Sequence, residues 1–394
     1  MSGKRLAVAL LVGAEIAAMS LWFVASAVLG DLSAEGGLSA TAAALLASSV
    51  PAGFVVGALA VAFSGIADRL DPRRVFAVAA VLAAVLNAAF AGLPPGGAAS
   101  VVSRFATGIA LAGVYPVGMK LVVGWGTTDR GWLVGLVVGG LTLGSAAPHL
   151  LAFLGGSDWR LATLGASALA LVAAVLVSFA SLGPHHAVQP RLAPGAIVVA
   201  WADRRIRRAF LGYFGHMWEL YAMWSWIGTA LVVSYARQVD PARAASLAKL
   251  TAFVAIGAGA LLCPPAGRLA DRIGKARLTV GVMAASATSA VLAGLVFGGP
   301  VWLVAMVVVV WGATVIPDSA QFSALVADFS PPELAGSLMA LQTALGFALS
   351  IATVQATPFV AAAVGWPALF WILAIGPVAG IIAMRGLDAA TGRE

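Results

Sequence analysis

Glu15-Ile-Ala-Ala-Met19-Ser-Leu-Trp22 returns 204 residues later as Glu219-Leu-Tyr-Ala-Met223-Trp-Ser-Trp226. Three further pairs follow in the same order. Asp68-Arg69 returns as Asp271-Arg272, Val114-Tyr115-Pro116 as Val315-Ile316-Pro317, and Gly131 with Leu133 as Gly336 with Leu338, at offsets between 201 and 205. Any one match is coincidence. Four in one order, at a nearly constant offset, are an internal duplication.

The duplicated unit is built for lipid. Of 394 residues, 61% are hydrophobic and 10% charged, against roughly 25% charged in a soluble globular chain. Mean hydropathy is +0.99. That excess excludes a water-soluble enzyme and a disordered chain. The single Cys263 excludes a disulfide framework. A helical span needs about 20 apolar residues, and twelve candidates are legible: 6–29, 40–63, 75–93, 98–123, 131–153, 160–181, 207–235, 246–264, 278–297, 300–325, 334–358 and 366–384. The one long polar break, Gly183 to Arg205, halves the chain. The expected organisation is an all-α membrane protein, with six spans in 1–182, a linker in 183–205 and six spans in 206–394. Lys4, Arg5 and the small residues at 25–27 imitate a secretory signal, but Glu15 interrupts its apolar run and the repeat requires the first span to stay.

Threading twelve spans with both ends on one side gathers seventeen Lys and Arg on that side and four on the other; Arg104 and Lys120 fall inside a span. Basic residues concentrate on the cytoplasmic side. The expected localisation is therefore a multi-pass protein of the inner or plasma membrane with cytoplasmic termini. The net charge of +7 is topogenic, with membrane lipid rather than nucleic acid as its neighbour.

The loop expected after span eight reads Gly267-Arg-Leu-Ala-Asp271-Arg272-Ile-Gly274-Lys275. It matches the G-x-x-x-D-R-x-G-[RK] signature of the major facilitator superfamily, which the whole chain resembles in its twelve spans and 6+6 duplication. The copy after span two, Ser64-Gly-Ile-Ala-Asp68-Arg69-Leu-Asp71, is degenerate. Arg104-Phe-Ala-Thr107-Gly108 looks like the R-x-x-Q-G motif with Thr for Gln. Gly135, Gly144 and Pro148 follow the antiporter pattern only in part. The resemblance implies two six-helix bundles related by a pseudo-two-fold axis, usually monomeric, rocking about a central site on spans one, four, seven and ten. Asp68, Arg69, Asp271 and Arg272 would form a gate. Each aspartate can approach a helix N-terminus, where an anion gains roughly 0.3–1 kcal/mol, and such contacts break and re-form in each cycle. The plainer reading makes them topogenic loop charges.

An ionisable side chain in hydrocarbon is expensive and needs a reason. The candidates are Glu15, Arg104, Lys120, His216, Glu219 and Asp318, with His149 nearer the outer end. Glu15 and Glu219 are repeat-related, so they are expected to face one shared hollow and exchange protons there; the alternative is a structural partner for each. His216, three residues before Glu219, is expected to pair with it. Arg104 stays charged and must meet a partner or an anion, and Lys120 either joins it or snorkels. Asp318 follows Pro317, where the helix is expected to break, and either lines the hollow or pairs with Ser319 or Ser323. Trp22, Tyr115, Trp218 and Tyr221 are aromatic candidates to stack on a solute.

The expected function is proton-coupled secondary transport of a small organic or inorganic anion. The alternative is proton-coupled efflux of cationic amphiphiles, with the carboxylates and aromatics as the cation's seat. No cofactor and no metal is expected, and no phosphate-binding loop appears to drive pumping. An enzyme lacks a nucleophile–base pair, and a membrane receptor lacks an output domain, since nine residues follow Arg385.

Overall fold

The computed structural model describes residues 3–64, 66–127, 129–185 and 195–387, and these are helical with connecting turns. Span one is α1 (Gly3–Met19) and α2 (Val24–Gly36). Span two is α3 (Ala40–Ser64), followed by the short α4 (Ile66–Arg69). Span three is α5 (Pro72–Phe90), and span four is α6 (Ala98–Leu111) with α7 (Tyr115–Val123). Spans five and six are α8 (Arg130–Leu154) and α9 (Trp159–Ser178). After α10 (Ala196–Ala202), spans seven, eight and nine are α11 (Arg204–Tyr235), α12 (Pro241–Ile273) and α13 (Lys275–Leu295). Span ten is α14 (Val301–Thr314) with α15 (Ser319–Phe329). The last stretch, α16 (Ala335–Met384), carries spans eleven and twelve. They part at Gly365, whose φ of +82° and ψ of 160° glycine alone adopts readily.

Ten of these stretches are long and apolar enough to cross a membrane. α16 is one of them and folds as two spans. α11 is not among the ten, its Trp, Tyr, His216 and Glu219 making it less apolar, yet it runs 32 residues. The total is twelve. Aspartates start several of them. Asp71, Asp158, Asp203 and Asp240 each accept a backbone N–H of the following turn, with Pro72 and Pro241 in the first turn of α5 and α12.

Three details depart from expectation. Span one is interrupted at residues 20–23. The Gly267–Ile273 signature is not a loop but the last turns of α12, which Gly274 ends at φ +96°. α11 begins at Arg204, two residues before the expected boundary. The expected break before Asp318 is present, between α14 and α15. Its repeat partner lies between α6 and α7, where Pro116 occupies the first turn of the new helix. Residues 186–194 of the linker and the side chain of Asp68 lie outside the described residues.

The two halves meet chiefly through α8 against α12 and α3 against α16, with α2 touching α11. Under the repeat, span five exchanges with eleven and span eight with two. The two main contacts are therefore one contact seen twice, as a two-fold axis between the halves requires. The α8–α12 contact is made by small residues. A Cβ added to Gly131, Gly135 or Gly139 would crowd Asp271, Cys263 with Pro264, or Ala260. Within the first half, α3 and α6 approach so closely that a Cβ on Gly53 would overlap the Phe105 carbonyl, and one on Gly108 the Val50 carbonyl. Close approach of this kind replaces the hydrophobic effect, which lipid abolishes.

Gly108→Val must part α3 from α6. The expected loss is about 1–3 kcal/mol, read as a lowered melting temperature in detergent; an unchanged melt would contradict this packing.

Candidate functional site

The face where α1 begins is called here the near face, and the opposite one the far face. Arg104, on α6, is fully buried. One Nη donates to the carbonyls of Leu21 at 2.5 Å and Trp22 at 3.2 Å; the other donates to Oδ1 of Asn87. Asn87 in turn donates to the Thr163 carbonyl and Ser167 Oγ, both at 2.8 Å. The interruption of span one frees carbonyls that lipid cannot satisfy, and the guanidinium supplies their donors where the helix dipole of α1 favours a cation. Arg104 is thus spent on backbone, not presented to a solute. Asn87, which sequence reasoning missed, is its anchor; a lone amide in an alanine-rich span was the available signal.

The two repeat-related glutamates do not face a shared hollow. Glu15 points into its own half. A Cβ on Gly118 of α7 would strike its carboxylate and then Phe76 of α5, and both oxygens are buried without a protein hydrogen-bond partner. Glu219 also turns inward, accepting from Trp311 Nε1 at 2.7 Å and Ser286 Oγ at 2.9 Å. The surroundings are repeat-related, spans three and four for one and nine and ten for the other, but only Glu219 has donors. Trp311 and Ser286 sit in an apolar and a small-residue run, and no spacing marked them.

His216 pairs with Asp318 rather than with Glu219. Nδ1 lies 3.1 Å from the carboxylate, both side chains are 2% exposed, and Nε2 has no protein partner. The break in span ten sets Asp318 there, just before α15, with its side chain free of capping duty. Tyr213 stacks on the imidazole at 6.0 Å between centroids, and Phe322 flanks it at 5.5 Å. Asp318 lies within the field of Glu219. Two carboxylates and an imidazole thus share the interior of the second half.

The aromatic candidates divide. Trp22 lies 4.9 Å from Phe54, 5.8 Å from Phe347 and 6.0 Å from Tyr221. Phe23 stacks on Tyr221 at 5.9 Å and meets Trp224 edge-on at 5.7 Å. Rings from the broken part of span one and from span two therefore close on rings from spans seven and eleven, across the boundary between halves. Trp22 Nε1 and Trp224 Nε1 are buried without protein partners. Trp218 is elsewhere. Its Nε1 donates to the Ile372 carbonyl at 3.1 Å, on span twelve, and its ring covers Gly376. Tyr115 is half-buried on α7, within the fields of Glu15 and Tyr213. Lys120 is half-buried one and a half turns further, on a stripe with Met119 and Val123; Ser319, Ala320, Ser323 and Ala324 form a like stripe on α15.

Both ends of the boundary carry ties. On the near face, Gly131 in the first turn of α8 stands beside the Asp271 carboxylate, with 3.2 Å from an added Cβ to Oδ2. An aspartate from one half thus meets the helix N-terminus of the other. Arg268 lies over the Trp132 ring at 3.6 Å. Arg69 and Arg272 are exposed at their helix ends. Lys4 donates to both oxygens of Asp129 at 2.9 and 2.8 Å, holding that carboxyl below its ordinary range. This contribution is present at neutral pH and lost as acid protonates Asp129. With both groups about a third exposed, it is worth at most about 1 kcal/mol. On the far face, Lys249 of α12 pairs with Asp31 of α2 at 2.7 Å and donates to the Gly156 carbonyl at 2.6 Å; Gln355 of span eleven donates to Ser48 of span two at 3.1 Å. Among the described residues no His, Cys, Asp and Glu cluster could hold a metal ion.

The family model described as Major Facilitator Superfamily matches residues 10–354. Among solved structures, a D-xylose-proton symporter is similar at a TM-score of 0.77 and 16% identity, covering 98% of this chain and 97% of that one. The nucleoside transporter NupG, as a mutant, matches at 0.72 and 16%, covering 96% and 99%. The xylose transporter XylE from E. coli, partially occluded and inward open, matches at 0.73 and 14%, covering 97% of each. No curated protein sequence matches the chain.

Arg104→Ala strands the Leu21 and Trp22 carbonyls and Asn87 Oδ1. The expected cost is on the order of 3 kcal/mol, measured as a lower melting temperature with no solute present. A residue held for an anionic solute would leave that melt unchanged.

Proposed function

The chain belongs to the major facilitator superfamily and is a membrane transporter, and from that premise we propose that it moves a neutral, hydroxyl-bearing ring solute in exchange for the free energy of a proton gradient. The two halves rock about their boundary, the near face is cytoplasmic, and 183–205 is the joint between them. The single observation that carries proton coupling is the buried His216–Asp318 pair with Glu219 beside it. Three titratable groups inside hydrocarbon are costly to keep charged, and alternately taking up and releasing a proton is the use that repays them. Glu15, unpartnered in the other half, is a second seat for a proton.

The solute class follows from what the charges are already doing. The anion expectation rested on Arg104, which is spent on the span-one carbonyls, with Lys120 and with His216, which faces Asp318. The cationic-amphiphile alternative needs an unpaired carboxylate at the seam between the halves, yet the ring cluster of Trp22, Phe54, Tyr221 and Phe347 there holds no acid, and the unpartnered Glu15 turns into its own half. What that cluster offers is flat apolar faces and, in Trp22 and Trp224, indole N–H donors with no protein acceptor. Rings with hydroxyl groups suit both. The structural neighbours named as xylose and nucleoside transporters carry solutes of that class and support the reading.

Counterflow in proteoliposomes tests it with labelled pentose, hexose, ribonucleoside, dicarboxylate and a lipophilic cation. Exchange of a neutral ring solute is expected; exchange of the dicarboxylate or the cation alone would overturn the assignment. For the solute that exchanges, Glu219→Gln keeps the shape and the Trp311 bond, with Ser286 Oγ now accepting from the amide, but cannot ionise. Accumulation driven by a pH gradient is expected to vanish while counterflow persists, and undiminished accumulation would remove Glu219 from the proton path.

A further inference from the structure

One seam of the boundary is not used by the chemistry above. Near the far face, His149 of α8 lies against α11, its Cε1 and Nδ1 at 3.7 and 3.8 Å from a Cβ placed on Gly228. His149 is 1% exposed, and its Nε2 has no protein partner. One turn towards the near face on α8 is Ser145, and one turn below Gly228 on α11 are Ser225 and Trp224. Ser145 Oγ, Ser225 Oγ and Trp224 Nε1 are likewise buried and without partners. The four groups belong to two helices of opposite halves that run in the same direction, and His149 against Gly228 is the point where those helices approach.

We propose that His149 is a proton-binding site of the far face, and that its protonation opens the far side of the boundary. The proposal rests on the two-sided transport reading above. A proton from far-face water bonds to the Nε2 lone pair, leaving its conjugate base in that water, and a neutral imidazole becomes a cation. The charged groups around it decide the consequence. On α12 is Lys249, whose field reaches His149; on α2 is Asp31, which Lys249 holds; on α9, further out, Arg160 is held by Glu35 at 2.7 Å. α11 opposes it with Gly228 and Ser225, which carry no charge.

A second cation in this company repels Lys249 and competes for Asp31, so the tie that links α12 to α2 weakens. The new charge also demands water, which a closed seam excludes. The Lys249 contacts to Asp31 and Gly156 hold the far side of the boundary shut, and the proton on His149 shifts the balance.

The test is a distance measurement that needs no solute. Ala34→Cys and Ala242→Cys, both exposed at the far face, carry spin labels on a Cys263→Ala background in nanodiscs, and electron–electron resonance reads their separation at pH 8 and pH 5. The expected result is a single short distance at pH 8 and a second, longer population at pH 5. His149→Gln, with His149→Asn as a second variant, is expected to stay short at both pH values. Lys249→Met is expected to show the long population at both. Identical wild-type distances at the two pH values overturn the proposal, as does a pH response that survives in the folded Gln or Asn variant, or a Lys249→Met protein that stays short at pH 8. Because the readout is conformational, loss of the proton-coupled solute reading would leave a positive result standing, and successful counterflow would not rescue a negative one.

Discussion

A helix interrupted in hydrocarbon exposes carbonyls that no solvent can satisfy, and the repair of one such interruption organises this molecule. Between Met19 and Val24 the first span loses its ladder. The guanidinium of Arg104, braced by Asn87 and through it by Thr163 and Ser167, supplies the missing donors. Spans one, three, four and six are thereby locked to one point. The same interruption turns Trp22 and Phe23 towards the second half, where Tyr221, Trp224 and Phe347 receive them. A polar repair inside one bundle thus fixes the apolar closure between two.

The duplicated halves have divided the work. Glu15 and Glu219 occupy equivalent positions, yet one lies bare against Gly118 and the other is held by Trp311 and Ser286. Ser20, at the interruption of span one, corresponds to Trp224 in an unbroken span seven. Trp22 belongs to the ring closure, while its partner Trp226 donates to the Val354 carbonyl inside its own half. The first half holds Arg104, its one arginine inside a span, for scaffolding, and the second gathers an imidazole and two carboxylates. Twofold symmetry survives in backbone contacts and is lost in side-chain chemistry.

Much of the architecture was legible before any coordinates. Repeat spacing, span length and the placement of Lys and Arg each constrain the backbone directly, and they agreed on twelve spans and a doubled unit. The break at Pro317 was signalled by a proline, which removes a donor from the hydrogen-bond ladder, although Pro51, Pro148 and Pro264 sit inside unbroken helices. The break at 20–23 was not, because Ser-Leu-Trp-Phe contains neither proline nor glycine; it exists only because Arg104 stands opposite. The site was legible as a set of residue types but not as directions. Glu15 and Glu219 were read towards a common hollow, and a rotation of each about its helix axis sends it into its own half. His216 was assigned to the nearest acid along the helix, whereas the acid it meets is about a hundred residues away on a helix that the break in span ten brings round.

The glycines at 131, 135 and 139 give α8 a face without teeth, and α12 answers with Ala260, Pro264 and Gly267. Surfaces that do not interlock roll over each other like a plain bearing, with few side chains to re-seat along the way. On the rocking motion proposed above, the charged clasps at the two rims would set the speed, and a few rim substitutions would retune turnover while leaving the axle untouched.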